Sequence, residues 1–256
     1  MQTGFVYLIG AGPGNPDLLT IRGLKAIQAS DIILFDALLG KEYLEVFPKN
    51  AKVKFVGKRC GKHSHTQPEI NSMILQYALS GYKVARLKGG DPFLYGRGGE
   101  ELLAIREAEI PYEIIPGVTS MNAASAAFQI PVTHRGISRK VLMVNGHGIQ
   151  SLAIEEWQTM ASFQGTIVIF MGTSSFQFMA NKLLDHGARS NLPVALIENA
   201  SLAAEQITIS SLRDAASNGI LKKTNGPGII YIGDVIQLFH NPINLKSENK
   251  TGSRSI

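Results

Sequence analysis

Short β-branched or aromatic runs alternate with helix-period segments almost from end to end, and this rhythm constrains the fold most. Predicted strands at Phe5–Ile9, Asp31–Phe35, Lys52–Val56, Lys83–Leu87 and Tyr112–Ile115 enclose amphipathic segments at 20–30, 67–80 and 98–108. Strands and helices in that order build a mostly parallel sheet covered by helices. The turn Ile115-Pro-Gly-Val118 breaks the rhythm and marks the expected boundary between domains. A second set follows, with strands at Val141–Asn145, Thr166–Phe170, Val194–Glu198, Glu205–Ile209 and Gly228–Ile232 and helices at 118–128, 174–186 and 211–218. The expectation is an α/β chain of two lobes, residues 1–116 and 117–240, each a mostly parallel or mixed sheet flanked by helices. Ligands are expected between the lobes.

Composition narrows the function. A chain of 256 residues, 45% hydrophobic and 18% charged, suffices for two modest buried cores. No run approaches the ~20 apolar residues of a membrane span. The start, Met-Gln-Thr-Gly-Phe-Val-Tyr, lacks a basic n-region and an apolar h-region, so a cytoplasmic location without a membrane partner is expected. The single cysteine, Cys60, excludes an internal disulfide and any multi-cysteine metal site. Of the net charge of +5, residues 241–256 carry +2, from Lys246, Lys250 and Arg254 against Glu248. That polar, aperiodic tail is expected to be disordered. The body is then mildly basic and lacks the dense basic face of a nucleic-acid-binding protein.

Two glycine-rich turns follow predicted strands. The stretch Arg86-Leu-Lys-Gly-Gly-Asp-Pro-Phe-Leu-Tyr-Gly-Arg-Gly-Gly-Glu-Glu101 holds five glycines and a proline before a helical pattern begins at Glu100. Such a loop brings bare backbone and one carboxylate up to a ligand. The other turn, Gly10-Ala-Gly-Pro-Gly14, invites a nicotinamide-dinucleotide reading, with Asp36 about where a ribose-binding acid belongs. The fingerprint fails in detail. Its third glycine falls one position early, Asn15 stands in its place, and Pro13 removes an N–H that a pyrophosphate would need.

Residues 5–145 resemble the tetrapyrrole methylases. The signatures are Val6-Tyr-Leu-Ile-Gly-Ala-Gly-Pro-Gly14 with Asp17-Leu-Leu-Thr20, Phe35-Asp36-Ala-Leu, and Val56-Gly-Lys-Arg59 with Gly61, His63-Ser64, Gln67 and Glu69-Ile-Asn71. The 86–101 stretch, Pro116-Gly-Val-Thr-Ser120, Pro131-Val-Thr-His-Arg135 and Gly146-His147 complete them. Looser likeness extends to about residue 238 through Phe170-Met-Gly172 and Ile232-Gly-Asp-Val235. The resemblance implies a two-lobed, homodimeric fold. It implies S-adenosylmethionine as methyl donor, S-adenosylhomocysteine as product, and a small-molecule tetrapyrrole as partner. Segment 57–71 points to members that methylate uroporphyrinogen III twice, giving precorrin-2, in sirohaem, cobalamin or haem d1 biosynthesis. A methylase acting on a later precorrin is the alternative.

The same resemblance assigns residues. Asp36, at the end of a predicted strand, matches the proposed proton acceptor; taken alone it also suits a carboxylate in a solvated turn. Lys58 matches the proposed donor. Pro13, Gly89, Gly90, Asp91, Leu94, Thr119, Ser120, Met171 and Ala200 match cofactor positions, Met171 as a soft apolar contact for adenine. Arg59 and His63, in the basic segment with Lys58, Lys62 and His65, suit a substrate edged with acetate and propionate groups. Arg97 and Arg135 are further candidate carboxylate binders, or structural ion pairs. His63-x-His65 lacks a third ligand at suitable spacing, so no metal is expected. Three departures fall in the second lobe, one of them Asn145-Gly-His147 in place of the common Thr-Gly-His. The family's usual Thr-Pro-x-Gln-Arg-like run is absent from Glu198-Asn-Ala-Ser-Leu-Ala-Ala-Glu-Gln206, and Gly226-Pro-Gly228 replaces the common Ala-Pro-Ala.

Overall fold

A computed structural model describes residues 3–36, 39–57 and 65–239. Lys58, Arg59, His63 and the 241–256 tail lie outside the described residues. The first half of the chain runs through β1 (Phe5–Gly10), α1 (Ile21–Gln28), β2 (Ile32–Phe35), β3 (Lys52–Phe55), α2 (Gln67–Leu79), β4 (Lys83–Lys88), α3 (Gly98–Glu107) and β5 (Tyr112–Ile115). Its strands form one sheet in the order β3-β2-β4-β1-β5, every neighbouring pair parallel.

A parallel sheet covered on both faces is apolar at successive strand positions, which is why Ile32-Ile-Leu34 reads as an unbroken run. Side-chain alternation then divides the strands. Val6, Leu8, Leu34 and Val84 pack with Ile70, Ile74 and Ile105 of α2 and α3. Ile9, Ile33, Ala85 and Leu87 face the other way, onto Ala26 and Ile27 of α1 and onto Tyr43 and Phe47. Arg86 and Lys88 share the parity of Val84, so two cations enter the layer beneath α2 and α3. Caps set the helix starts. Thr20 accepts from the Gly23 N–H, and Thr66 forms a reciprocal capping box with Glu69.

The second half comprises α4 (Ser120–Phe128), β6 (Val141–Asn145), α5 (Ile154–Ala161), β7 (Thr166–Phe170), α6 (Phe176–Asp185), β8 (Pro193–Glu198), β9 (Gln206–Ser211), α7 (Leu212–Asn218), β10 (Gly228–Ile232) and α8 (Val235–Phe239). Its sheet is mixed, in the order β6-β7-β10-β8-β9. β6 and β7 are parallel, and β10 runs antiparallel to both its neighbours. Ile167, Ile169, Leu196 and Ile230 pack under α5, α6 and α7. Val168, Phe170, Ala195, Ile197 and Tyr231 pack under α4 and α8. No helix among the described residues is long and apolar enough to cross a membrane.

The predicted strands are all present, their ends moved by at most two residues. The sequence reading omits α5 and α8. In α5 only Trp157 and Met160 are buried, and its start depends on Glu156 accepting from the Ala153 N–H at 3.0 Å. What it lacks is a start signal, because Ala153 at its N-cap has no side-chain oxygen to accept a backbone N–H.

Candidate active site

Four C-terminal strand ends of the first sheet build the site: Gly10 of β1, Phe35 of β2, Lys88 of β4 and Ile115 of β5. Open α/β sheets bind ligands at this edge. Three of the loops meet backbone to backbone. Gly12 and Gly90 exchange N–H···O bonds of 3.1 and 2.7 Å, and the Ala11 N–H donates to the Lys88 carbonyl at 2.8 Å. A Cβ on Gly10 or on Gly117 would collide with the other's backbone. These two glycines are used up in loop packing. Gly90 differs, because at φ +70° a Cβ there would stand in open space.

Asp91 braces this junction. Its Oδ1 accepts from the Phe93 N–H at 2.8 Å and its Oδ2 from the Gly117 N–H at 3.0 Å. Each carboxylate oxygen therefore holds one backbone N–H, which shapes the loop that carries Gly89 and Gly90, and keeps a second acceptor position at the cleft that Asp91 lines. On the far side the Tyr43 hydroxyl donates to the Ala11 carbonyl, and burial pushes that phenol up to about 12.

Between the lobes lies a cleft of about 650 Å³. Pro13, Asp36, Gly89, Gly90, Asp91, Leu94 and Arg97 line it from the first lobe. Thr119, Ser120, Met171 and Ala200 line it from the second, with Phe170, Ile197 and Ile229 between them. Thr119 caps α4 by accepting from Asn122, which places Ser120 in the first turn at the cleft. Met171 holds a left-handed φ of 53° straight after β7 and is half exposed. Arg135 is exposed and lies outside the cleft, so the structure does not gather it with the others. Arg97 reaches the cleft mouth while its guanidinium is held by Glu100 at 2.7 and 2.6 Å on the surface.

The loop after β4 crosses to the second lobe. Leu94 packs against the Val168–Phe170–Ile197 cluster, and the Tyr95 ring sits 5.1 Å from that of Phe170. Tyr95 and Arg97 take left-handed φ of 55° and 59° to make the crossing. A second contact joins the lobes where the Asn15 N–H donates to Ser201 Oγ at 3.4 Å and Gly14 abuts Leu202. The unusual 198–206 run thus touches the glycine turn. Asn199 donates to the Ala204 carbonyl and to Thr224 Oγ1, occupying the space that a Cβ on Gly226 would need. That explains the glycine at 226.

Beneath the cleft wall lies a charged network that the sequence reading missed. Arg86 is 2% exposed. Its Nη2 donates to Asp36 Oδ1 at 2.7 Å, its Nη1 to the Leu87 carbonyl at 2.9 Å, and its Nε to Glu101 Oε1 at 2.9 Å. The same Glu101 oxygen accepts from Lys88 Nζ at 3.0 Å and from Gln67 Nε2 at 3.1 Å. Burial opposes the Arg86 charge, but Glu101 and Asp36 outweigh it and raise the guanidinium above its ordinary value. For Lys88 burial wins. Aided by the neighbouring Arg86 charge, it holds the ammonium below the usual lysine range. Arg86, Lys88 and Gln67 line the cleft with Asp36. The signal was available: two cations in a central strand, buried on both faces, require a buried acid.

The family model described as Tetrapyrrole (Corrin/Porphyrin) Methylases matches residues 6–216. The S-adenosyl-L-methionine-dependent uroporphyrinogen III methyltransferase of Methanosarcina barkeri is 41% identical over 253 residues, 97% of each chain. The siroheme synthase of Actinobacillus pleuropneumoniae is 40% identical across 92% of this chain, which spans about half (48%) of that longer relative. Among solved structures, the uroporphyrin-III C-methyl transferase of Thermus thermophilus complexed with S-adenyl homocysteine superposes with a TM-score of 0.79. It is 32% identical, over 92% of this chain and 100% of that one.

Proposed function

The chain belongs to the tetrapyrrole methylase family, and from that premise we propose that it transfers methyl groups from S-adenosylmethionine to carbons of uroporphyrinogen III. Two successive transfers, giving precorrin-2, complete the reading. One observation carries it. A single cleft sets a carboxylate anchored by a buried arginine against an apolar wall, with open glycine backbone between them.

The residues present fit the methyl donor. Gly90 leaves room where any side chain would intrude, and Phe170, Met171, Ile197 and Ala200 offer an apolar bed for an adenosyl group. When bound, S-adenosylmethionine supplies an electrophilic methyl on a sulfonium. The protein's part is to hold the acceptor carbon in line with that methyl, exclude water and remove one proton. In this reading Asp36 accepts the proton lost from the macrocycle, and Arg86 keeps its carboxylate at the cleft wall. Lys58 takes the donor role that the resemblance gives it. Arg97, with Arg59 and His63, meets the acetate and propionate edge of the substrate. Asp91 serves the donor site through the loop it braces.

Residues 1–116 and 117–240 are the two lobes of this reading, and the working form is a cytoplasmic homodimer. Sedimentation showing a stable single-chain species at working concentration would overturn the dimer. For the activity, the chain is incubated with uroporphyrinogen III and methyl-labelled S-adenosylmethionine, and transferred methyls are counted by mass spectrometry. Two added methyls are expected; none would refute the proposal.

A further inference from the structure

Glu101 is fully buried (0% exposed), yet one of its oxygens takes three donors, from two elements besides its own. Oε1 collects Arg86 and Lys88 of β4 and Gln67 of α2, while Oε2 is buried with no partner among the described residues. A carboxylate placed for stability alone would be satisfied on both oxygens. Apolar side chains of similar volume would hold these helices on the sheet at least as well. The arrangement has a geometric result instead. With Nε fixed on Glu101 and Nη1 on the Leu87 carbonyl, the Arg86 plane has one edge left, and that edge carries Asp36 at 2.7 Å.

We infer that Glu101 is a positioning residue of the methyl-transfer site, acting through Arg86 to hold Asp36 in the orientation that receives the macrocycle's proton. The inference rests on the reading of Asp36 given above. The polar partners of Glu101 are Gln67, Arg86 and Lys88, and neither the Gly89–Gly90 loop nor the apolar wall is among them, so its effect is expected on turnover rather than on donor binding.

A double-mutant cycle tests this. Glu101→Gln is expected to lower kcat about tenfold or more, with S-adenosylmethionine affinity by calorimetry within about twofold of the parent. In an Asp36→Asn background the same change is expected to cost less than about twofold, because the group it serves is already gone. An equal loss in both backgrounds, or unchanged kcat in folded Glu101→Gln, would overturn the assignment. Should Glu101→Gln fail to fold, Glu101→Asp keeps the charge and shortens its reach to Arg86, and that variant is carried through the same cycle with the same two outcomes. The unsubstituted chain runs in parallel. If it transfers no methyl, the functional reading fails; if it turns over and the losses multiply, only the role of Glu101 fails.

Discussion

The two walls of the cleft come from sheets of different construction. The first sheet is entirely parallel, so the four strand ends that build the site share one edge, and buried ions from β4 can sit directly behind them. The second sheet is mixed, with β10 antiparallel between β7 and β8, and it offers the cleft mostly apolar or small groups such as Phe170, Ile197, Ala200 and Ile229. One lobe holds charge in fixed positions while the other supplies a surface to lie against. Proton handling is therefore expected to be sensitive on the first side and packing on the second.

The largest effect is expected at Asp36. Asp36→Asn keeps the shape and removes the proton acceptor, so kcat is expected to fall by about 10²–10⁴ with little change in S-adenosylmethionine affinity. Single-turnover rates near wild type would break the division between the walls. Next comes the junction, where Gly90→Val puts a branched side chain into open cleft at φ +70°. Donor affinity is expected to drop about 100-fold or more, the equivalent of about 3 kcal/mol, as read by calorimetry. Smaller still is Tyr231→Phe in the second lobe, where the hydroxyl donates to the Met121 carbonyl at 2.6 Å and contacts Ser125 Oγ at 2.9 Å. The expected cost is about 1–2 kcal/mol of stability by denaturant unfolding, with kcat preserved in the folded fraction. Smallest is Arg135→Ala. Exposed and away from the cleft, it is expected to change kcat/KM by less than about twofold, and a tenfold rise in KM for the tetrapyrrole would place it at the substrate after all.

The division between lobes was partly legible in the sequence. Alternating strand and helix patterns fix the layers, and Asp36 stands out as a carboxylate closing an apolar run. Glu101 was not legible from its own neighbourhood. It follows Glu100 in Gly98-Gly-Glu-Glu101, and the two differ only in helical phase: Glu100 pairs with Arg97 in solvent while Glu101 is sealed beneath α3. Their difference becomes visible only when Arg86 and Lys88 are recognised as lying on a face that needs an acid. The crossing at Tyr95 and Arg97 gave no signal either, because left-handed backbone there is carried by side chains that ordinarily avoid it. Gly10 and Gly117 were visible as glycines, but their mutual contact spans more than a hundred residues of chain and no local pattern reports it.

The Leu94–Tyr95 crossing has a bearing on how such a chain can change over evolutionary time. Because the first half of the sequence packs Leu94 against the hydrophobic core of the second and lays the Tyr95 ring on Phe170, the halves are not interchangeable parts. A chimera joined at the turn near residue 116 would inherit a peg from one parent and a socket from the other. Diversification of the substrate end must therefore proceed by small, matched steps in both halves, with segment 198–206 changing in concert with the glycine turn it touches.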